Sequence, residues 1–241
     1  MTEEMFRQEC EASFENYTGL IYKEFMLLQK ELILPAVIKN GRVTGYIKDG
    51  KECQLESWWK YYDGLDTGRK TGWLLIGVDN EENEIICDEI FDVDGLVRDI
   101  SKRIKEKRFG RNMTIGVIDS ASQVKREYAA EKLNFIDSIK DVHESIQMTR
   151  NKFKNRKLFI LDNCPATLRE LRSRKWDEKK KEGKAVPVKE NDHLSNALDY
   201  MQNTLLRYGA KTVHPEKKAF PNTLAGMTQR HGGSQNWRNK G

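Results

Sequence analysis

The chain has 241 residues, enough for one large α/β domain or two small ones, and at 33% charged and 38% hydrophobic it is polar yet able to bury a core. No run approaches the ~18 apolar residues of a membrane span, and the acidic N-terminus resembles no signal peptide, so a membrane is excluded as an expected partner. Cys10, Cys53, Cys87 and Cys164 are scattered singly with no CxxC pair, which fits reduced thiols better than a zinc site or a disulfide framework. The net charge of +5 is uneven: residues 207–241 hold seven Lys/Arg against Glu216 alone, so this stretch carries +6 and the rest sums to −1. Residues 150–189 hold fourteen basic and five acidic residues. A basic stripe and a basic tail suit a polyanion approaching one face; a solvated lysine-rich surface is the plain alternative.

In chain order, residues 1–30 read as helical, with the apolar stripe interrupted near Tyr17-Thr18-Gly19. Residues 32–57 contain two Gly-centred turns, Asn40-Gly41 and Asp49-Gly50, as in short hairpins. Strands are expected at 62–65, 71–78 and 84–91, an antiparallel meander with tight turns at Gly68 and at Asp79-Asn80. From Asp94 the period becomes helical and is closed by Gly110. Residues 113–118 are continuously apolar and largely β-branched, as in a central strand. Helical patterns follow at 123–133 and 142–154, with 135–136 between them; 158–161 is a short apolar strand, and 165–175 a helix started by Pro165. The last helix spans 192–206, and beyond Tyr208 the chain loses all periodicity, as a disordered tail does. Strands first, then strands alternating with helices, imply a mixed sheet covered by helices. A phosphate loop of the Gly-x-x-x-x-Gly-Lys-Ser/Thr type is absent, since Gly68-Arg69-Lys70-Thr71 lacks its spacing.

Three acidic residues far apart in sequence each stand where an element begins or ends. Asp66 ends the first strand in Gly64-Leu65-Asp66-Thr67-Gly68, where glycines permit close approach of a backbone or a substrate phosphate. Asp119 ends the apolar strand MTIGVID, where a carboxylate is costly unless solvated, paired or bound to a cation. Asp192 starts a helix in Asn191-Asp192-His193. Strand ends and a helix start can converge on one edge of a sheet, the usual place for α/β sites. Hard oxygen ligands suit Mg²⁺ or Mn²⁺, and two such ions can activate a water and stabilise a departing 3′ oxygen. Each acid also has a bland alternative: Asp192 as an N-cap, Asp66 as a turn former.

These residues carry a resemblance. Residues 17–206 resemble the C-terminal nuclease domain of tailed-phage large terminases, the DNA-packaging motor subunit. Gly19-Leu20-Ile21-Tyr22-Lys23-Glu24-Phe25 and then residues 61–68 are similar to that family's lead-in and first catalytic strand, and residues 114–121 to its second acidic strand. Residues 168–177, with Glu170, Leu171 and Trp176-Asp177, followed by Gly183-Lys184, Pro187 and Asn191-Asp192-His193, resemble its closing signature. The resemblance implies an α/β ribonuclease H-like fold, a mixed β-sheet flanked by helices, and a two-metal endonuclease that cuts concatemeric viral DNA during packaging. Carried onto this chain, Asp66, Asp119 and Asp192 are the catalytic acids and hold two Mg²⁺ or Mn²⁺ ions. The implied organisation is a lead-in over 1–57 packed on a nuclease domain over 58–208, then a disordered basic tail over 209–241. The implied partners are double-stranded DNA, an ATPase domain or subunit, a small terminase and a portal, in the host cytoplasm.

Two positions depart from the family pattern. Asn196 stands where a second acid often follows the Asp-His aspartate, and Asp199 where an Arg often precedes the final Tyr. Asp199 is therefore a substitute ligand at most, and Glu89 and His193 are candidates to support the metal ligands. Lys179, Lys180, Lys181 and Lys184 form an expected hairpin tip beside Asp192 that grips the DNA backbone without reading its sequence. Trp58, Trp59, Trp73 and Trp176 read as packing residues. The competing functions are a Holliday-junction resolvase or integrase-like nuclease with the same sheet and acids, and a non-catalytic DNA-binding packaging module.

Overall fold

The continuous apolar runs of the central strands need cover on both faces, and the chain supplies it by alternating strands with amphipathic helices. The computed structural model describes residues 19–119, 122–139, 141–177 and 185–208. Strands β5 (Lys60–Asp66), β6 (Lys70–Val78) and β7 (Glu84–Val93) form the expected antiparallel meander, with Leu65 opposite Trp73 and Leu74 opposite Glu89. Strand β8 (Asn112–Asp119) adds parallel to β5, so that the last residues of both strands, Asp66 and Asp119, are register partners. The short β9 (Ile136–Asp137) lies beyond β8. On the other flank β10 (Leu158–Leu161) pairs parallel with β7, and β1 (Ile33–Leu34) pairs parallel with β10. The result is a seven-stranded mixed sheet in the order β1-β10-β7-β6-β5-β8-β9.

A separate antiparallel sheet contains β2 (Ala36–Lys39), β3 (Arg42–Lys48) and β4 (Lys51–Gln54). Its two turns are Asn40-Gly41 and Asp49-Gly50, each with both residues at positive φ (52° and 72°; 51° and 73°), as two-residue hairpins require.

Six helices are described: α1 (Lys23–Leu32), α2 (Val97–Arg108), α3 (Ser122–Ala130), α4 (Val142–Lys154), α5 (Pro165–Ser173) and α6 (His193–Tyr208). None of the helices among the described residues is long and apolar enough to cross a membrane. Helix α2 starts later than its periodicity suggests, because Asp94 takes a left-handed conformation (φ 58°) that a helix cannot include. The expected helix over 1–30 is described only as α1, and the expected tail lies outside the described residues. Residues of the expected lead-in take part in the main sheet: β1 is one of its strands, and Phe25 of α1 packs its ring 5.2 Å from that of Phe153 in α4.

Helix α6 is the element that positions the site. Its buried residues Leu194, Ala197, Leu198, Met201 and Leu205 recur at helical spacing and face β5, β6 and α4. Two strand glycines let its backbone come down onto the sheet. A Cβ at Gly64 would collide with the Ala197 carbonyl oxygen, and one at Gly72 would lie 2.9 Å from the His193 carbonyl carbon and the Leu194 nitrogen. Gly64 therefore serves helix packing, not substrate approach. Beneath, Trp73 Nε1 donates to buried Asp63 (2.6 Å), and Arg108 grips the same carboxylate with Nε and Nη2 (both 2.8 Å).

Gly64→Ala is expected to destabilise the protein by about 2 kcal/mol, the usual scale of overpacking a filled core. Gly68→Ala, whose new methyl would meet only the Lys70 carbonyl at 3.7 Å, should cost far less. Urea unfolding midpoints of the two variants check this; equal losses would contradict the role given to Gly64.

Candidate active site

Asp66 and Asp119 stand side by side at the C-terminal ends of parallel strands, and Asp192 immediately precedes α6, which crosses those ends. All three line one cavity of about 970 Å³, together with His193, Asn196, Asp199 and Tyr200. Asp66 is buried and its Oδ2 faces His193 Nδ1 at 3.1 Å. Asn196 Nδ2 reaches Asp192 Oδ2 (3.1 Å) and Asp66 Oδ2 (3.4 Å), so one amide ties two of the acids. The Tyr200 hydroxyl donates to Asp119 Oδ2 at 2.9 Å.

The electrostatics follow from burial and like charge. Burial pushes the Asp66 carboxyl up, against the His193 hydrogen bond that pulls it down. His193 is raised, chiefly by that same hydrogen bond. The Tyr200 phenol is raised by burial and then by the charges of Asp66 and Asp119, so it stays protonated and a donor.

Behind the acids lies a layer built on Arg174, to which the sequence assigned no role, and on Asp199. Arg174, buried at the end of α5, donates from Nη1 to Asp199 Oδ2 (2.7 Å) and from Nη2 to Asn196 Oδ1 (2.8 Å). Asp199 Oδ1 accepts from the Tyr22 hydroxyl (2.8 Å) and from Thr149 Oγ1 (3.1 Å). Asp199 is thus spent on holding Arg174, and it bears on the acids through Asn196. Glu170 Oε2 accepts from the backbone amides of Leu194 (2.8 Å) and Ser195 (2.9 Å), capping the start of α6 from a neighbouring helix. The side-chain cap that was the bland alternative for Asp192 is supplied by Glu170, and the Asp192 carboxylate lines the cavity. The i+4 and i+8 spacing of Asn196 and Tyr200 from Asp192 is the signal that places them on its face.

Glu89 lies elsewhere. It caps α5, accepting from Ala166 N (2.9 Å), Thr167 N (2.8 Å) and Thr167 Oγ1 (2.7 Å), and does not line the cavity. The arms of the expected basic hairpin pair as predicted: Trp176 bridges Pro187, Asp177 N donates to Val186 O (2.8 Å), and Val188 N to Lys175 O (2.9 Å). Lys179, Lys180, Lys181 and Lys184 lie outside the described residues. Cations the sequence reading missed stand at the cavity itself: Arg69 on the β5–β6 turn, Lys70 at the start of β6, and Lys189 on the returning arm.

The donor chemistry fits a hard divalent cation: of the carboxylates lining the cavity, Asp66 and Asp119 are in register, and Asp66 and Asp192 share one amide. Among the described residues no group of three or more His, Cys, Asp or Glu side chains is placed to hold a metal ion. A cation that keeps most of its waters needs only one or two carboxylates.

A central mixed sheet with acids at adjacent strand ends, flanked by helices, is the ribonuclease H-like architecture, the fold expected from the motifs. No protein-family model and no curated protein matches the chain. Among solved structures it is similar to the large terminase from a thermophilic bacteriophage, with TM-score 0.64 and 23% identity over 78% of this chain and 45% of that one. It is also similar to the P22 large terminase nuclease domain, with TM-score 0.57 and 14% identity over 81% of this chain and 95% of that domain. The large terminase nuclease from thermophilic phage G20c with bound magnesium matches at TM-score 0.57 and 14% identity, over 77% and 97%. The chain spans less than half the length of the first of these proteins and nearly the whole of the two nuclease domains.

Buried Glu170, pushed up to about 7 mainly by desolvation, gives a pH test. Its folded form binds the proton more tightly than the unfolded chain does. Its contribution to stability is therefore fully present below the unfolded value of 4.5 and is lost as pH rises to about 7, a change on the order of 3 kcal/mol. Glu170→Gln, which keeps an oxygen for the amides, should flatten stability over that window, as chemical unfolding at several pH values will read. An unchanged slope would show that Glu170 does not titrate there.

Proposed function

We propose that this domain is a divalent-cation-dependent endonuclease that hydrolyses DNA phosphodiesters, the nuclease part of a phage DNA-packaging terminase. The observation that carries the proposal is the in-register pair Asp66 and Asp119 at the ends of adjacent parallel strands, with Asp192 on the same cavity. The similarity to large-terminase nuclease domains supports it, as do the G20c structures with bound magnesium and bound cobalt. Asp66, Asp119 and Asp192 hold the metal, two Mg²⁺ or Mn²⁺ ions. A hard divalent cation bound there supplies acidification of a water and neutralisation of charge on the phosphate.

The chain's own residues do the rest. Arg174 and Asn196 fix the separation of Asp66 and Asp192, so the carboxylates meet the substrate already oriented. Tyr200 holds Asp119 by a proton it does not lose, and His193 holds Asp66. Arg69, Lys70 and Lys189 on the rim receive the flanking phosphates, as do Lys179, Lys180, Lys181 and Lys184, which lie in sequence between the paired arms. Hydrolysis adds water at phosphorus and breaks the P–O3′ bond, leaving a 5′ phosphate and a 3′ hydroxyl. The substrate is concatemeric double-stranded DNA in the host cytoplasm. The partners are an ATPase domain or subunit, a small terminase and a portal.

Nicking of supercoiled plasmid in magnesium tests the reading. Asp119→Asn is expected to lower the rate about a hundredfold or more with the fold retained, because a ligand that offsets transition-state charge is lost. A near wild-type rate would overturn the assignment of Asp119. Full activity in a chelator would overturn the metal mechanism, and a wild-type protein that binds plasmid without nicking it would be a DNA-binding module.

A further inference from the structure

One wall of the cavity does nothing in the chemistry above. It is built by the entry to α4 and by the returning hairpin arm, and it presents Ile139, Val142, His143, Val186 and Pro187 together with the polar Asp141 and Ser145. Val142 is 39% exposed in the first turn of α4, an apolar residue facing the site without being packed away. The His143 imidazole lies flat on the Trp176 indole, with ring centroids 5.6 Å apart and planes 10° from parallel. Trp176 is itself fixed, its amide donating to Gly19 O (2.9 Å) and its backbone bridging Pro187. His143 lines the cavity and Trp176 does not, so the imidazole is the layer between indole and cavity. Trp176 packs against the core as expected, and it also backs the His143 ring.

We infer that this wall receives one unstacked nucleobase of the strand being cut, stacked on His143. The inference rests on the nuclease reading and names the feature its substrate must offer. The acids, the cations Arg69, Lys70 and Lys189 and a partly apolar, aromatic wall share this one cavity, so it offers charge to the phosphate of a nucleotide and a face to its base. At about 970 Å³ the cavity lies at the upper end of the range for small-molecule sites, far more than the carboxylates alone would fill. A paired, stacked base keeps its faces hidden, so only a base released from the helix can use the wall. Stacking on an aromatic face is indifferent to base identity, which suits an enzyme that selects local opening rather than sequence. The preferred substrate is therefore duplex DNA with an unpaired or weakly paired base beside the scissile phosphate.

Two duplexes of one sequence, fully paired or with a single mismatch carrying 2-aminopurine, test this. Cleavage is followed in magnesium by the wild type, His143→Ala and His143→Phe, and fluorescence on the Asp119→Asn background. The wild type should cut the mismatched duplex about tenfold faster than the paired one, the factor one base–aromatic stack is worth, and quench the 2-aminopurine. His143→Ala should lose both the preference and the quenching while still cutting paired DNA, and His143→Phe should restore them. Equal cutting of the two duplexes by the wild type would overturn the inference and leave the nuclease reading standing. So would an undiminished preference in His143→Ala. Cleavage of neither duplex by the wild type would instead strike the nuclease reading itself.

Discussion

The seat of α6 on the central strands is the constraint from which the site follows. Because Gly64 and Gly72 carry no side chains, the helix backbone rests directly on β5 and β6, and its first residues are carried over the strand ends. That contact sets Asp192 beside Asp66, although they are separated by most of the domain's sequence. Glu170 fixes the start of the helix by taking its first free amides, and Arg174 fixes its inner face through Asn196 and Asp199. Position along the sheet is thus set by packing, and rotation about the helix axis by hydrogen bonds.

Collecting three carboxylates in one cavity has an electrostatic cost that local donors offset. His193 faces Asp66, Asn196 links Asp66 to Asp192, and Tyr200 serves Asp119. Arg174 is deeper and does not touch the acids. Its partners Asp199 and Tyr22 are buried with it, and such an arrangement is strongly destabilised when one member is removed. The site is rigid from behind and polar in front, an arrangement that favours chemistry by positioning.

Much of this was legible in the sequence because the relevant signals are local. Apolar, β-branched runs mark β6, β7 and β8, and the two hairpin turns are set by Asn-Gly and Asp-Gly pairs whose backbone conformation few other residues adopt. The acids at the ends of β5 and β8 are visible for the same reason, since a carboxylate closing an apolar run demands an explanation. What escaped reading depends on long-range packing. β1 is two residues long, too short for periodicity to register, and it joins the sheet only because β10 offers an edge. Glu89 stands in an acidic stretch and Glu170 in a basic one, and only the fold decides that one caps α5 and the other α6. Arg174 is one basic residue among many in its stretch until burial singles it out. Gly64 looks like an opening for substrate but is an opening for a helix.

The central claim is that Asp66 and Asp119 form one cation site across two adjacent strand ends. Titration of Mn²⁺ into the protein, with the free ion followed by electron paramagnetic resonance, tests it without reference to cleavage. Saturable binding that Mg²⁺ displaces, and that Asp66→Asn and Asp119→Asn each abolish while retaining the native circular dichroism, is the predicted result. Binding that survives intact in both variants would contradict the account.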